Sequence, residues 1–109
     1  MTRDALGEFE HQVLLALLVL GGEGYSVPVV AELERRTGRS ANPAAVFIAL
    51  RRLERRGYLR SRKEDPSPGE GGRGRRVFRV TPRAVTRLRE SRRAFESLWR
   101  GADPLLGGR

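Results

Sequence analysis

A mainly α (α+β) domain is the fold class that the sequence predicts, and three observations lead to it. Four segments carry apolar residues at spacings of three and four, the period of a helix with one buried face. Two shorter segments, residues 58–63 and 75–80, have the residue types of strands and are separated by turn-forming sequence, EDPSPGEGGRG. The length, 109 residues, allows one small hydrophobic core. Together these observations predict one domain of four helices and a β-hairpin.

The first helix is predicted over residues 6–20 and ends at the pair Gly21 and Gly22. Its apolar residues form a stripe that three further leucines widen: Leu6, Phe9, Val13, Leu17 and Leu20, with Leu14, Leu15 and Leu18. From residue 13 onward the helix is apolar nearly all round, so we expect it to be buried on more than one side.

The second helix is predicted over residues 27–37, with Ser26 as its cap, Pro28 in its first turn and Gly38 at its end. Its buried stripe is predicted to consist of Val27, Val30 and Leu33. The charged residues are expected to point outward: Glu32, Glu34, Arg35 and Arg36.

The third helix opens in the same way, with Asn42 as cap and Pro43 as its first residue, and runs to about residue 56 before Gly57. Its core stripe is Val46, Leu50 and Leu53. The opposite side carries Ala45, Ile48, Arg51, Arg52, Arg55 and Arg56.

The fourth helix follows the hairpin and begins with Thr81 and Pro82, a cap and a proline once more. It is predicted to end at about residue 100. Its apolar positions trace a heptad-like seam: Ala84, Val85, Leu88, Phe95, Leu98 and Trp99.

This order of elements is that of a winged helix-turn-helix, in which two helices joined by a tight turn precede a β-hairpin wing. In that arrangement the third helix enters the major groove and the wing lies along the backbone or minor groove. The chain then divides into a winged helix-turn-helix DNA-binding domain (residues 1–80), a C-terminal dimerisation helix (81–100) and a frayed tail (101–109).

Positive charge is concentrated in one stretch of the chain, whose net charge is +9. Residues 1–40 carry four arginines and six acidic residues, a net of −2, whereas residues 41–100 carry sixteen arginines, one lysine and six acidic residues, a net of +11. A GC-rich genome also favours arginine, but codon bias would not confine the excess to one stretch. This distribution of positive charge indicates a surface that binds a polyanion.

Double-stranded DNA is therefore the predicted partner, bound by the start of the third helix, the cations that follow it and the wing. The predicted contacts are Ser40, Asn42, Ala45, Phe47, Ile48, Arg51, Arg52, Arg73, Arg75 and Arg76. An alternative function is that of an interaction module that docks an acidic protein partner and has incidental affinity for DNA. The arginines of the third helix could also form an ordinary solvated helix face.

A homodimer is predicted because the fourth helix and the outer side of the first would otherwise expose a large apolar patch, which monomers avoid. The predicted interface residues are Leu15, Leu18, Leu88, Phe95, Leu98 and Trp99. A two-fold dimer presents two third helices, so we expect a pseudo-palindromic operator with half-sites about 10 base pairs, or a multiple, apart.

The chain over roughly residues 6–100 resembles the PadR-like family of bacterial transcriptional regulators, of the short type with one C-terminal helix. The segments that carry the resemblance are LGEFEHQVLLALLVLG, GYSVPVVAELERRTGRS, AVFIALRRLERRGYLRSR and GGRGRRVFRVTP. It implies a winged helix-turn-helix homodimer, usually a repressor, whose last helix packs on the partner's first and last helices.

Family members commonly have a tyrosine where Phe47 stands, and its hydroxyl would donate to a phosphate. Some relatives bind flat aromatic compounds between subunits, which implies an aromatic effector site at Phe95 and Trp99.

Several classes of protein are excluded by the composition. With no cysteine and one histidine, His11, the chain has neither a thiolate metal site nor a credible catalytic set, so we predict no enzyme and no metal. GEGGRG at residues 69–74 has dinucleotide-loop spacing, but a strand rather than a helix follows it, so no cofactor is predicted. The longest apolar run has eight residues, against about 20 for a membrane span. We expect a cytoplasmic, nucleoid-associated protein without a membrane contact.

Overall fold

The four helices and the two hairpin strands follow one another in the predicted order in the computed structural model, which describes residues 6–64 and 75–107. The helices are α1 (Glu8–Val19), α2 (Ser26–Thr37), α3 (Pro43–Arg55) and α4 (Pro82–Ala102), followed by a 3₁₀ turn (Asp103–Leu106). The strands are β1 (Glu23–Gly24), β2 (Leu59–Glu64) and β3 (Arg75–Val80).

The core lies between α1, α2 and α3 on one side and the sheet on the other. Its largest fully buried side chains are Val13, Leu14, Leu17, Val29, Val46, Leu50, Leu53, Tyr58, Leu59 and Phe78. The predicted core stripe of α3 is confirmed. In contrast, α1 is buried on one side only, since Leu15, Leu18 and Val19 are 45%, 37% and 52% exposed.

Two of the three predicted helix caps are confirmed. The Asn42 side-chain oxygen accepts hydrogen bonds from the backbone N–H groups of Ala44 and Ala45 at 2.8 and 3.1 Å. Thr81 Oγ1 likewise accepts from the N–H of Ala84. The prediction for Ser26 is wrong, because α2 begins at Ser26 itself and Tyr25 takes the cap position.

The buried side of α2 also differs from the prediction. Val29 is fully buried and pairs with Leu33 one turn later, whereas Val27 in the first turn is 74% exposed. Glu32 lies beside this stripe and is buried rather than outward-facing. It is stabilised there by hydrogen bonds from Arg36 and Arg35 at 2.6 and 2.7 Å, which lower the pKa of its carboxyl.

The sheet is antiparallel with strand order β1-β3-β2. The predicted hairpin is confirmed, with β2 starting one residue later than expected and Leu59 opposite Val80. The sequence did not predict β1, whose two residues pair with Arg79 and Phe78 of β3. A strand of two residues is too short to show any alternation of side chains, so it cannot be recognised from the sequence. It is defined by its pairing with β3.

The junction between α3 and α4 is held by several short contacts. Gly57 has a φ of 82°, which places it in the left-handed region that favours glycine. The Thr81 hydroxyl donates to the Gly57 carbonyl oxygen at 2.8 Å, and Arg83 Nε donates to the Arg56 carbonyl at 3.2 Å. The Arg83 guanidinium lies 4.9 Å from the centre of the buried Tyr58 ring. These contacts set the direction in which α4 leaves the domain.

Only the first two turns of α4 pack on the core, through Ala84 and Leu88. The remainder projects, so the described chain measures 58 × 28 × 22 Å. The helix continues to Ala102, and residues 103–106 form a 3₁₀ turn, where the sequence had predicted a frayed tail from residue 101. Within residues 6–64 and 75–107, every helix is too short or too polar to cross a membrane.

Candidate nucleic-acid interface

The outer face of α3 is the best-formed candidate for contact with DNA. Asn42 fixes where the helix begins, and Val46 and Leu50 hold its inner side in the core. One turn apart on the outer side lie Ala44, Ile48 and Arg52, all exposed. The helix therefore presents a fixed N-terminal half with small and apolar side chains, followed by cations.

The arginines of α3 differ in how far they are available to a ligand. Arg51 forms an ion pair with Glu54 at 3.3 Å, and its side chain is 40% exposed. The Arg52 side chain is 58% exposed, with Nε 4.0 Å from the Glu10 carboxylate. Arg55 is exposed as well. Arg52 and Arg55 are thus the most accessible cations of the helix.

Arg56 is not on the outer side, in contrast to the prediction. Its Nη1 donates to Glu10 Oε1 at 2.7 Å, and its guanidinium lies 5.2 Å from the centre of the Tyr58 ring. Glu10 belongs to α1 and is buried, so its charge requires a partner. Arg56 therefore connects α1 to the end of α3.

The base of the wing lies next to α3. A cleft of about 480 Å³ is lined by Arg75 and Arg76 of β3, Phe47 of α3 and the first residues of α2. Arg76 donates to Ser61 Oγ at 2.9 Å, and the Arg75 guanidinium lies 5.2 Å from the centre of the Tyr25 ring. The structure thus brings two predicted wing contacts together with α3. The third, Arg73, lies outside the described residues, as does the GEGGRG segment.

Other charges at the base of the wing are paired with one another. Arg62 contacts the carboxylates of Glu23 and Glu64, both at 3.2 Å. The hydrogen bond from Arg62 lowers the pKa of Glu23. Tyr25 donates its hydroxyl to Glu64, which raises the pKa of the tyrosine. Tyr25 is not among the residues predicted from the sequence, because no periodic pattern links the start of α2 to the wing.

Phe47 stands where the resemblance implied a phosphate-binding tyrosine. Its ring packs edge-on against Phe78, with ring centres 5.9 Å apart, and remains 41% exposed. It therefore supports the wing from α3 and still reaches the surface.

Four of the predicted contacts lie on or beside α3, around two further clefts. Ala45, Ile48 and Arg52 line a cleft of about 470 Å³ against the start of α1. Ser40 is exposed in the turn between α2 and α3, where it lines a separate cleft beside α1.

Five of the six predicted dimer residues line an open groove of about 1040 Å³ between α1 and α4. It includes Leu15, Leu18, Phe95 and Trp99, the last two being 61% and 53% exposed. Leu88 also lines the groove but is 6% exposed, so most of it belongs to the core of the protomer. His11 lies there too, and burial lowers its pKa. Leu98 is 68% exposed, on the same helix.

The sequence also matches the model of the PadR-like family of transcriptional regulators over residues 14–90, more than half of the chain. The chain belongs to the PadR-like family of transcriptional regulators. The resemblance inferred from the sequence is thereby confirmed. Because the family consists of transcriptional regulators, the prediction that this chain is not an enzyme is confirmed as well.

This PadR-like chain is similar to a transcriptional regulator of Mycobacterium tuberculosis, Rv3488, with 40% identity over 73 residues. The aligned segment covers 67% of this chain and 62% of that protein, so the chain spans less than two thirds of its relative's length.

Solved structures confirm the winged-helix fold of this PadR-like chain. F93 from STIV, a winged-helix DNA-binding protein, matches with a TM-score of 0.66 at 15% identity, over 87% of this chain and 95% of the other. BpsR of Bordetella bronchiseptica, whose DNA binding is regulated by 6-hydroxynicotinic acid, matches with a TM-score of 0.70 at 21% identity. That match covers 100% of this chain and 71% of BpsR. At these identities the likeness concerns the fold.

Proposed function

We propose that this PadR-like regulator is a sequence-specific DNA-binding repressor that acts as a homodimer on a pseudo-palindromic operator. In this proposal residues 1–80 bind DNA and residues 81–100 pair with the second subunit. The observation that carries it is the outer face of α3, where the capped N-terminal half is exposed and accessible arginines follow within two turns.

DNA fits this face better than an acidic protein partner does, because two cationic elements, α3 and the wing, lie next to each other there. Arg52 and Arg55 lie on α3, and Arg75 and Arg76 lie on the adjacent strand of the wing. A helix in the major groove and a wing on the backbone place cations on both sides of the groove edge. Most of these contacts position the protein, and few of them read bases.

The homodimer is supported by the groove between α1 and α4. Phe95 and Trp99 are more than half exposed and lie opposite Leu15 and Leu18 of α1. A second copy that laid its own α4 in this groove would bury an apolar surface that is costly in water. The two α3 helices would then be related by a two-fold axis, as an inverted repeat in DNA requires.

A small aromatic effector is a second role that the same groove supports. Phe95 and Trp99 are one helical turn apart, and both line the groove. BpsR, a protein of the same fold, has its DNA binding regulated by an aromatic acid. Because Trp99 is the single tryptophan, a bound aromatic compound should quench its fluorescence. A panel of aromatic compounds that leaves this fluorescence unchanged would exclude the role.

A gel-shift experiment on random genomic fragments, with competitor DNA and physiological salt, tests the proposed function. We expect a small subset of fragments to be retained, with an affinity that falls linearly on a log–log plot as salt rises, because arginine–phosphate contacts release counterions. If all fragments bound equally, DNA affinity would be incidental. The docking of an acidic protein partner would then be the better function.

A further inference from the structure

The first half of α3 is unusual for a surface that contacts a polyanion. Residues 43–50 read PAAVFIAL, so eight consecutive residues lack a hydrogen-bonding side chain. Three of them are buried in the core (Val46, Ala49 and Leu50). The other five are exposed, and Ile48 is 54% exposed near the middle of the outer face. A large aliphatic side chain therefore stands where a winged helix meets base edges.

Asn42, the polar residue that directly precedes this segment, already uses its side-chain oxygen within the protein. Asparagine reads adenine by using its side-chain oxygen as acceptor and its amide as donor. The oxygen of Asn42 accepts from two backbone N–H groups, of Ala44 and Ala45, which uses both of its lone pairs. Asn42 can therefore offer its amide protons but not the paired contact that specifies adenine.

The position of Arg52 on α3 indicates which part of the DNA the exposed apolar residues would contact. Arg52 follows Ile48 by one turn, about 6 Å along the helix axis. If its guanidinium contacts a phosphate, Ile48 lies deeper in the groove, over the base edges. Of the groups that base pairs display in the major groove, the thymine 5-methyl is the apolar one.

We propose that Ile48, with Ala44 beside it, recognises thymine in each half-site by contact with the 5-methyl group. This inference rests on the proposed DNA-binding function and names what that site reads. It accounts for the apolar sequence of residues 43–50, since a polar side chain placed against the methyl group would lose its hydrogen bonds to water without gaining a partner. The specificity of the regulator then comes from shape and apolar contact at these positions.

Replacement of thymine by deoxyuridine tests the inference, because it removes the methyl group and keeps every hydrogen-bonding group of the base. An operator is first selected from random duplex DNA, and each thymine is then replaced singly. We expect one or two positions per half-site to bind about fourfold more weakly, the effect of one methyl-sized contact, while the other positions do not change.

Two variants assign the effect to Ile48. In Ile48→Ala the thymine and deoxyuridine operators should bind equally well, because the side chain that touches the methyl group is shortened. Arg52→Ala should weaken both operators and preserve the fourfold ratio, because a phosphate contact does not distinguish them. Both residues are exposed, so both variants should fold.

The outcomes distinguish a failure of thymine recognition by Ile48 from a failure of the proposed DNA-binding function. If no sequence is enriched in the selection, the proposed function itself is wrong. If an operator is found but tolerates deoxyuridine everywhere, or if Ile48→Ala keeps the fourfold ratio, the operator is read by other contacts and the inference is wrong.

Discussion

Replacement of Trp99 by aspartate should convert the proposed dimer into a monomer and weaken operator binding by about 100-fold or more. Trp99 is 53% exposed in the protomer and lines the apolar groove between α1 and α4. In the dimer an aspartate at this position would be a buried charge without a partner, which is costly. Loss of the second α3 then removes half of the contacts to the operator.

Sedimentation at micromolar concentration measures the first effect, and a gel shift on the selected operator measures the second. The wild type should sediment at twice the 12.2 kDa of one chain and Trp99→Asp at that mass. Val27→Asp is a matched control for the oligomeric state, because Val27 is 74% exposed on α2, away from the groove. A Trp99→Asp variant that remained dimeric would place the interface elsewhere.

Phe78→Ala should lower the free energy of unfolding by about 3–5 kcal/mol, the usual effect of truncating a buried phenylalanine. Phe78 is fully buried on the central strand β3 and packs against Phe47 of α3. Its truncation leaves a cavity between the sheet and α3. Since the total stability of a domain is about 5–15 kcal/mol, a large fraction of the Phe78→Ala molecules should be unfolded at modest urea concentrations.

Urea unfolding of the two proteins measures this difference, at equal protein concentration because dimerisation adds to the apparent stability. Phe78→Leu should lose less, since it fills more of the cavity. Arg79→Ala changes the next residue on the strand, where the side chain is 71% exposed, and should alter stability by about 0.5 kcal/mol or less. If Phe78→Ala unfolded like Arg79→Ala, the core would not include β3 as described.

The elements that the sequence predicted well are those whose signals are local. α3 is an example, because its cap, its first proline and its core stripe of Val46, Leu50 and Leu53 all lie within twelve residues. The hairpin was predictable for a similar reason, since two strand-like segments flank a single loop rich in glycine and proline.

The features that the sequence could not predict depend on partners far along the chain. Arg56 turns inward because Glu10, which is 46 residues earlier, is buried and accepts its hydrogen bond. β1 exists because residues 23 and 24 meet β3. Glu32 is buried because two arginines of the same helix fold back over it, which helical spacing permits but does not require.

The candidate site shows the same division. The sequence indicated that α3 and β3 carry the cations, and the structure brings Phe47, Arg75 and Arg76 together around one cleft. The sequence could not rank the arginines of α3, because the ion pairs of Arg51 with Glu54 and of Arg56 with Glu10 depend on side-chain positions. The result favours Arg52 and Arg55 over Arg51 and Arg56 as contacts to DNA.

The selection of bound sequences from a random pool of duplex DNA tests the sequence specificity and the two-fold symmetry of the regulator in one measurement. We expect an enriched sequence that consists of two inverted half-sites with centres about 10 base pairs, or a multiple, apart. An enriched pool without an inverted repeat would contradict the dimer. A pool without any enrichment would contradict the claim that α3 reads DNA.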